Sequence, residues 1–207
     1  MNSKAVLYPL IYITCGACLL ASCFPPQTAI PALPKDISAI AVMPTANNTN
    51  DLEGPPLIRS LIENELWNKG YALEDSAVVD RILKEKFGIT DGGQLTSVNK
   101  IQLGKEIRAD AFLFSVLEEF NAKSAGFVNE RVVELHLILF DASTGQTLWR
   151  GSGAVSNGDV TLSVNEAKKR LLENLKMKFA ENLFRSHLLA EAEEAARRAL
   201  AKLPDYR

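Results

Sequence analysis

Few side chains in this sequence could carry chemistry. Its thiols are Cys15, Cys18 and Cys23, all within the first 23 residues, and its two imidazoles are His136 and His187. Cys23 has the most informative surroundings. It closes Leu20-Ala21-Ser22-Cys23, behind an unbroken apolar or small run from Ala5 to Ala21, and prolines follow at 25 and 26. Lys4 is the one charge before it. A thiol is the side chain here that readily takes a diacylglyceryl group, and small residues let the peptide bond before it enter a peptidase. A positive start, an apolar middle and small residues at the cut are the layout of a secretory signal. A transmembrane helix wants about 20 apolar residues. This run is slightly shorter, and Pro9 lies inside it.

Leu20–Cys23 looks like a bacterial lipobox, in which the thiol is acylated and the chain is cut just before it. Acyl chains contribute about 0.8 kcal/mol per buried CH₂, and more than one chain makes anchoring stable. Residues 1–22 are therefore expected to be a lipoprotein signal peptide, with Cys23 as the lipidated first residue. Two plainer readings stand beside it: an uncleaved membrane anchor, or an ordinary signal peptide with an incidental cysteine. Cys18, after Cys15-Gly16-Ala17, is a weaker acceptor because no aliphatic residue sits three places before it.

Composition agrees with export. A mature chain beginning at Cys23 would have no other thiol, so it could form neither an internal disulfide nor a thiolate metal site. Loss of Lys4 takes the formal charge from −2 to −3. No basic field exists to hold nucleic acid or anionic lipid.

The remaining reactive residues do not assemble into a recognisable catalytic set. His136 and Glu134 are two apart on a strand pattern, so their side chains point the same way, as a general acid–base pair or a metal site would need. A metal site needs a third ligand, and there is no HExxH, paired-His or carboxylate-rich loop. The period-2 alternation favours a solvated strand face instead. His187 lies between Arg185-Ser186 and Leu188 without an evident partner. Glu118 and Glu119 are adjacent and should face opposite sides. Asp91-Gly92-Gly93 reads as a turn without phosphate-loop spacing. Ser115 and Ser152 lack a nucleophile-elbow pattern, and Trp149 reads as a sheet-packing aromatic. The expectation is a protein with no catalytic residues, no cofactor and no metal.

The elements that would position these residues follow from periodicity. Residues 24–36 carry prolines at 25, 26, 31 and 34. They should form either an extended tether, at about 3.1 Å per residue, or a strap packed through Ile30 and Leu33. Ile37–Pro44 is a buried strand pattern, followed by a polar turn at Asn47–Asp51. Pro55 and Pro56 open a helix whose apolar face is Leu57, Ile58, Leu61, Ile62 and Leu66, stopped by Gly70. Tyr71–Asp75 holds a short strand. Ser76–Gly88 is a helix capped by Ser76, Ile89–Ser97 a loop, and Val98–Asp110 a short helix. Ala111–Phe120 is apolar on both faces and should be central in a sheet. Asn121–Asn129 reads as a polar, exposed connection. Arg131–Asp141 alternates, with Val133, Leu135, Leu137 and Leu139 on one face. Asp141–Gly145 is a hairpin loop, with glycine where a left-handed residue is needed, and Gln146–Val155 completes a meander. Residues 163–202 read as a long C-terminal helix. Its alanine-rich second half, with Glu193–Arg197 and Glu194–Arg198 pairs, can be helical without packing on the domain. The fold class is α+β, a mixed sheet of about five strands in the order β-α-β-α-α-β-β-β-α, with residues 37–207 as one domain.

The segments 40–51, 103–120 and 137–153 carry three pieces together: a first strand ending in Pro-x-x-Asn, an Ala-Asp-Ala strand entry, and a Thr-Gly-x-x-Leu-Trp hairpin. In these the chain resembles a family of bacterial lipoproteins catalogued mainly as a domain of unknown function. Its wider kin are the TolB amino-terminal domain, the curli secretion lipoprotein CsgG, LpoB and PelC. The resemblance covers residues 37–160. It implies helices packed on a mixed sheet, and an adaptor or ring-forming part of an envelope export machine. It also implies bacterial lipoprotein sorting, under which Phe24 after Cys23 favours the outer membrane. CsgG looks like a channel because extra hairpins insert into the membrane. A membrane strand takes about 9–11 residues, so the Asn121–Asn129 connection cannot build such a pore.

The expected function is a membrane-anchored, non-catalytic envelope lipoprotein that docks on other envelope proteins in secretion, surface assembly or envelope biogenesis. The expected partners are the membrane through Cys23, other envelope proteins and further copies of the chain, with no nucleic acid. The alternatives are an activator of a cell-wall synthesis enzyme, or a ligand-binding or hydrolytic periplasmic protein.

Overall fold

A computed structural model of the chain describes residues 37–125, 128–160 and 188–206. The expected signal peptide with Cys23, the tether over 24–36, the first half of the C-terminal helix and His187 lie outside the described residues.

Among the described residues, six strands form one mixed sheet. β1 is Ala39–Val42, β2 Ala46–Asn47, β3 Ala72–Leu73, β4 Ala111–Ala125, β5 Val128–Asp141 and β6 Thr147–Val160. Their order is β3-β1-β4-β5-β6, with β2 also pairing to β4. β1 runs parallel to β3 and β4, whereas β4, β5 and β6 form an antiparallel meander. β4 is central, as its two-sided apolar sequence predicts, because it receives a core on each face.

The two faces are covered unequally. On one, α1 (Gly54–Asn68) and the C-terminal helix α4 (Leu189–Leu200) bury Ile58, Ile62, Leu66, Ala195, Ala199 and Leu200 against Leu113, Leu117, Leu135, Leu137 and Leu139. On the other, α2 (Ser76–Phe87), a 3₁₀ turn (Gly92–Ser97) and α3 (Lys100–Glu106) cover only the β1 side, around Met43, Leu83, Leu103 and Phe112. Among the described residues, no helix covers the second face of β5 and β6.

Five expectations change. The polar turn after β1 instead opens with β2, whose Ala46 and Asn47 pair with Val116 and Leu117. The rest of that turn is braced. The Asn47 side chain donates to the Asp51 carbonyl at 2.7 Å and accepts from the Thr49 N–H at 3.0 Å, while Asp51 Oδ1 accepts from the N–H groups of Glu53 and Gly54. The loop at Ile89–Ser97 contains the 3₁₀ turn, closed by a capping box between Asp91 and Gln94. The α2 cap is Asp75, not Ser76: its carboxylate accepts from Ala77 N–H at 2.7 Å, while the Ser76 hydroxyl donates to Glu63.

The connection over 121–129 is not a plain loop. Asn121–Ala125 pair with Val128–Val132, and β6 follows to Val160, so a three-stranded ribbon continues beyond the helix-covered sheet. Ladder hydrogen bonds outweigh the weak strand propensity of asparagine, lysine and serine, because an edge-to-edge neighbour is already in register.

The largest correction concerns α4. Its alanine-rich sequence packs into the main core: Ala192, Ala195, Ala196, Ala199 and Leu200 are all buried, and so is Glu191. Alanine adds little apolar area of its own, but here it lets two backbones approach. α4 lies over Gly151 and Gly153 of β6, whose absent side chains leave room for the carbonyls of Ala199 and Ala195. Glu191 accepts from Asn157 Nδ2 at 3.1 Å and stands 3.7 Å from Arg131, so it ties the helix to the ribbon. Of the expected pairs, Glu194–Arg198 forms at 2.6 Å, and Arg197 also turns to Glu194 rather than Glu193.

Candidate functional site

The face of β5 and β6 that no described helix covers carries Glu134, His136 and Ser152. Strand alternation buries Val133, Leu135, Leu137 and Leu139 and turns Glu134 and His136 outward. His136 Nε2 and Glu134 Oε1 stand 3.4 Å apart, both well exposed. The register of β4 against β5 shifts between Leu117 and Glu119, and the shift sets Glu119 opposite Glu134. Like charges directly opposite each other cost stability. Glu118, the extra residue, accepts from Asn48 Nδ2 at 2.8 Å and so holds the turn after β2. The expectation that Glu118 and Glu119 alternate across the sheet does not hold: the bulge sets both between Leu117 and Phe120, which face the same core. Among the described residues no three histidines, cysteines or carboxylates come close enough to hold a metal ion.

Beside this face, a groove of about 360 Å³ opens at the edge of β6 that no other described strand pairs with. His136 and Ser152, cross-strand neighbours, form part of its floor with Arg150; Arg198 and Lys202 reach it from the C-terminal end of α4. Arg198 is held in place: its Nη1 donates to the Ala154 carbonyl at 2.9 Å and its Nε to Glu194 at 2.6 Å. That contact also caps one carbonyl of a strand edge that no other described strand pairs with. The sequence hides this convergence, since Arg150 and Arg198 are distant along the chain. The one legible signal is that Arg150 and Ser152 alternate with Gly151 and Gly153.

The other singled-out residues hold the fold. Ser115 is buried and shares a 2.8 Å hydrogen bond with Thr45. Trp149 lies in the main core. Gly92 of the Asp91-Gly92-Gly93 turn abuts the backbone of Pro44–Ala46. The perturbed acids are structural as well. Burial pushes the Asp110 carboxyl up, but hydrogen bonds from Ala39 N–H and from the Ser38 N–H and hydroxyl outweigh it and hold it below the usual range. The Ser143 hydroxyl, together with the Thr144 and Ser143 N–H groups, holds Asp141 low against its burial. Burial, and secondarily the Asp205 charge, pushes the Tyr71 hydroxyl up, where it donates to the Pro204 carbonyl at 2.8 Å.

Residues 34–182 match the family model described as "Putative lipoprotein GNA1162-like". The chain belongs to the GNA1162-like lipoprotein family. The family is one of bacterial envelope lipoproteins, and its fold recurs in solved structures. The lipoprotein GNA1162 from Neisseria meningitidis is 22% identical, with TM-score 0.54 over 70% of this chain and 99% of that one. A PelC dodecamer from Paraburkholderia phytofirmans is 18% identical, with TM-score 0.52 over 87% and 96%. The LpoB C-terminal domain from Escherichia coli is 22% identical, with TM-score 0.43 over 58% and 83%. No curated protein matches the chain. For GNA1162 and PelC the likeness is one of fold, and it agrees with the α+β mixed sheet expected from the sequence.

Proposed function

We propose that the protein is held at the outer membrane by an acylated Cys23 and acts without catalysis, as a docking component of an envelope secretion or surface-assembly machine built with copies of itself. The observation that carries this reading is the Leu20-Ala21-Ser22-Cys23 sequence in a chain of a lipoprotein family. The likeness to PelC, solved as a dodecamer, supports self-assembly.

The site chemistry supports docking over turnover. Thr45, Ser115 and Glu191 are the buried polar side chains among the described residues, and all three are engaged in structural hydrogen bonds. Glu134 and His136 are both exposed on the sheet surface, where a docking partner can reach them. Rigid sheets that present loops and open faces are where recognition usually resides.

Mass spectrometry of the protein from its native membranes tests the anchor. Cys23 should be the first residue and should carry acyl chains; an intact Met1–Ser22 segment or an unmodified Cys23 overturns the proposal. Density fractionation should place the protein with the outer membrane. Light scattering on the detergent-extracted protein should give a multiple of the subunit mass, and a single-subunit mass would end the assembly reading.

A further inference from the structure

We propose that the groove between the β6 edge and the C-terminal end of α4 binds a phosphate-type oxyanion. Three cations from two elements converge there: Arg150 from β6, and Arg198 and Lys202 at and just beyond the end of α4. The whole chain is net acidic, at −2, so this cluster runs against the general field. Cations at a helix C-terminus are ordinary, because the helix dipole favours them. Arg150 has no such reason to be present, since it belongs to the strand. Among the described residues, neither Arg150 nor Lys202 has an ion-pair partner, and Glu194 is shared between Arg197 and Arg198.

The strand edge adds backbone donors. In an antiparallel ladder the N–H and C=O of a given residue point to the same side, and the side alternates along the strand. Arg198 reaches the Ala154 carbonyl from outside the sheet, so Ala154, Ser152 and Arg150 all present their backbone groups outward. β6 ends the sheet among the described strands. The N–H groups of Ser152 and Arg150 therefore face the groove beside the cations. The Ser152 hydroxyl and the His136 ring stand at its floor. A planar guanidinium with parallel N–H donors matches the oxygens of a phosphate, and a flexible ammonium adds a point charge.

Size sets the ligand class. At about 360 Å³ the groove is at the small end of the range for ligand sites. It admits a phosphate with a small attached group, such as a lipid headgroup or a free phosphate or phosphate ester. Both sources present the same oxyanion.

Isothermal titration calorimetry on the full chain, extracted in a neutral detergent, tests the proposal with two probes. The first is inorganic phosphate. The second is phosphatidylglycerol doped into the micelles, with phosphatidylcholine as the zwitterionic control. Saturable binding of either anionic probe is expected, weakened about tenfold or more in the Arg150→Gln/Lys202→Gln double variant. Both side chains are exposed, so circular dichroism and the thermal midpoint should be unchanged. Arg150→Lys should retain part of the affinity, having lost only the fork. Binding of phosphatidylglycerol but not phosphate assigns the headgroup as the source; binding of both assigns the oxyanion alone. Absence of binding by both probes, or affinity unchanged in the double variant, overturns the proposal.

Discussion

Gly153 of β6 lies directly beneath the carbonyl of Ala195 in α4, with no room between them for the first carbon of a side chain. Gly151, two residues earlier, meets the carbonyl of Ala199 and the ring of Trp149 in the same way. A helix of small residues on a strand of alternating glycines brings the two backbones together, and the core closes around the contact.

Gly153→Ala should destabilise the domain by about 3 kcal/mol, the upper end for an overpacked core position. The obstructing atoms are backbone rather than a yielding side chain, so the helix must lift. Thermal unfolding followed by circular dichroism measures the change. An unaltered midpoint would mean that α4 is not seated as described.

Truncation after Ala190 should abolish cooperative folding. It removes Leu200 and Leu203, both fully buried, each worth about 1.5–3 kcal/mol of burial, and uncovers the leucines of β5. Domains of this size have only about 5–15 kcal/mol of net stability. Tryptophan fluorescence during urea unfolding should lose its sigmoidal transition. A truncated domain with the full-length midpoint would show that the helix is dispensable.

Stability should fall on acidification through Asp110 and Asp141. Both carboxyls are held below the range they have in the unfolded chain. Their contribution is complete above the ordinary aspartate value of about 3.9 and is lost as the pH falls through the lower folded-state value. Urea midpoints measured from about pH 6 down to about pH 3 should decline more steeply for the wild type than for Asp110→Asn or Asp141→Asn. Parallel curves would assign the acid sensitivity elsewhere.

The buried Thr45–Ser115 pair should give a non-additive cycle. Ser115→Ala leaves the Thr45 hydroxyl without its 2.8 Å partner and should cost about 1–3 kcal/mol. Thr45→Val should cost a similar amount by stranding Ser115. The double variant should be less damaging than the sum, because no polar group is then left unpaired. Strict additivity in chemical denaturation would mean that water or backbone replaces the lost partner.

Local pattern carried much of the fold. Proline at the start of α1, glycine at the end of α2 with φ of 68°, and Gly145 in the β5–β6 turn with φ of 69° fix element ends through the conformations only those residues adopt at low cost. The alternation of Val133 to Leu139 fixes which face of β5 is buried. Cys23 and the two plainer readings of its segment belong equally to the sequence, because they depend on residues adjacent along the chain.

Tertiary structure decided the rest. Alanine-rich Glu191–Lys202 is amphipathic only if alanine counts as apolar, and alanine packs tightly only where its partner has glycines. Those glycines stand some forty residues earlier, so only the folded sheet brings Gly151 and Gly153 beneath Ala195 and Ala199. The ribbon of Asn121–Ala125 has poor strand propensity, and it pairs because neighbouring strands supply hydrogen bonds in register. The cationic groove has the same origin: Arg150 reads as one exposed strand residue and Arg198 as one half of a helix ion pair, and their meeting follows from the docking of α4 along the β6 edge.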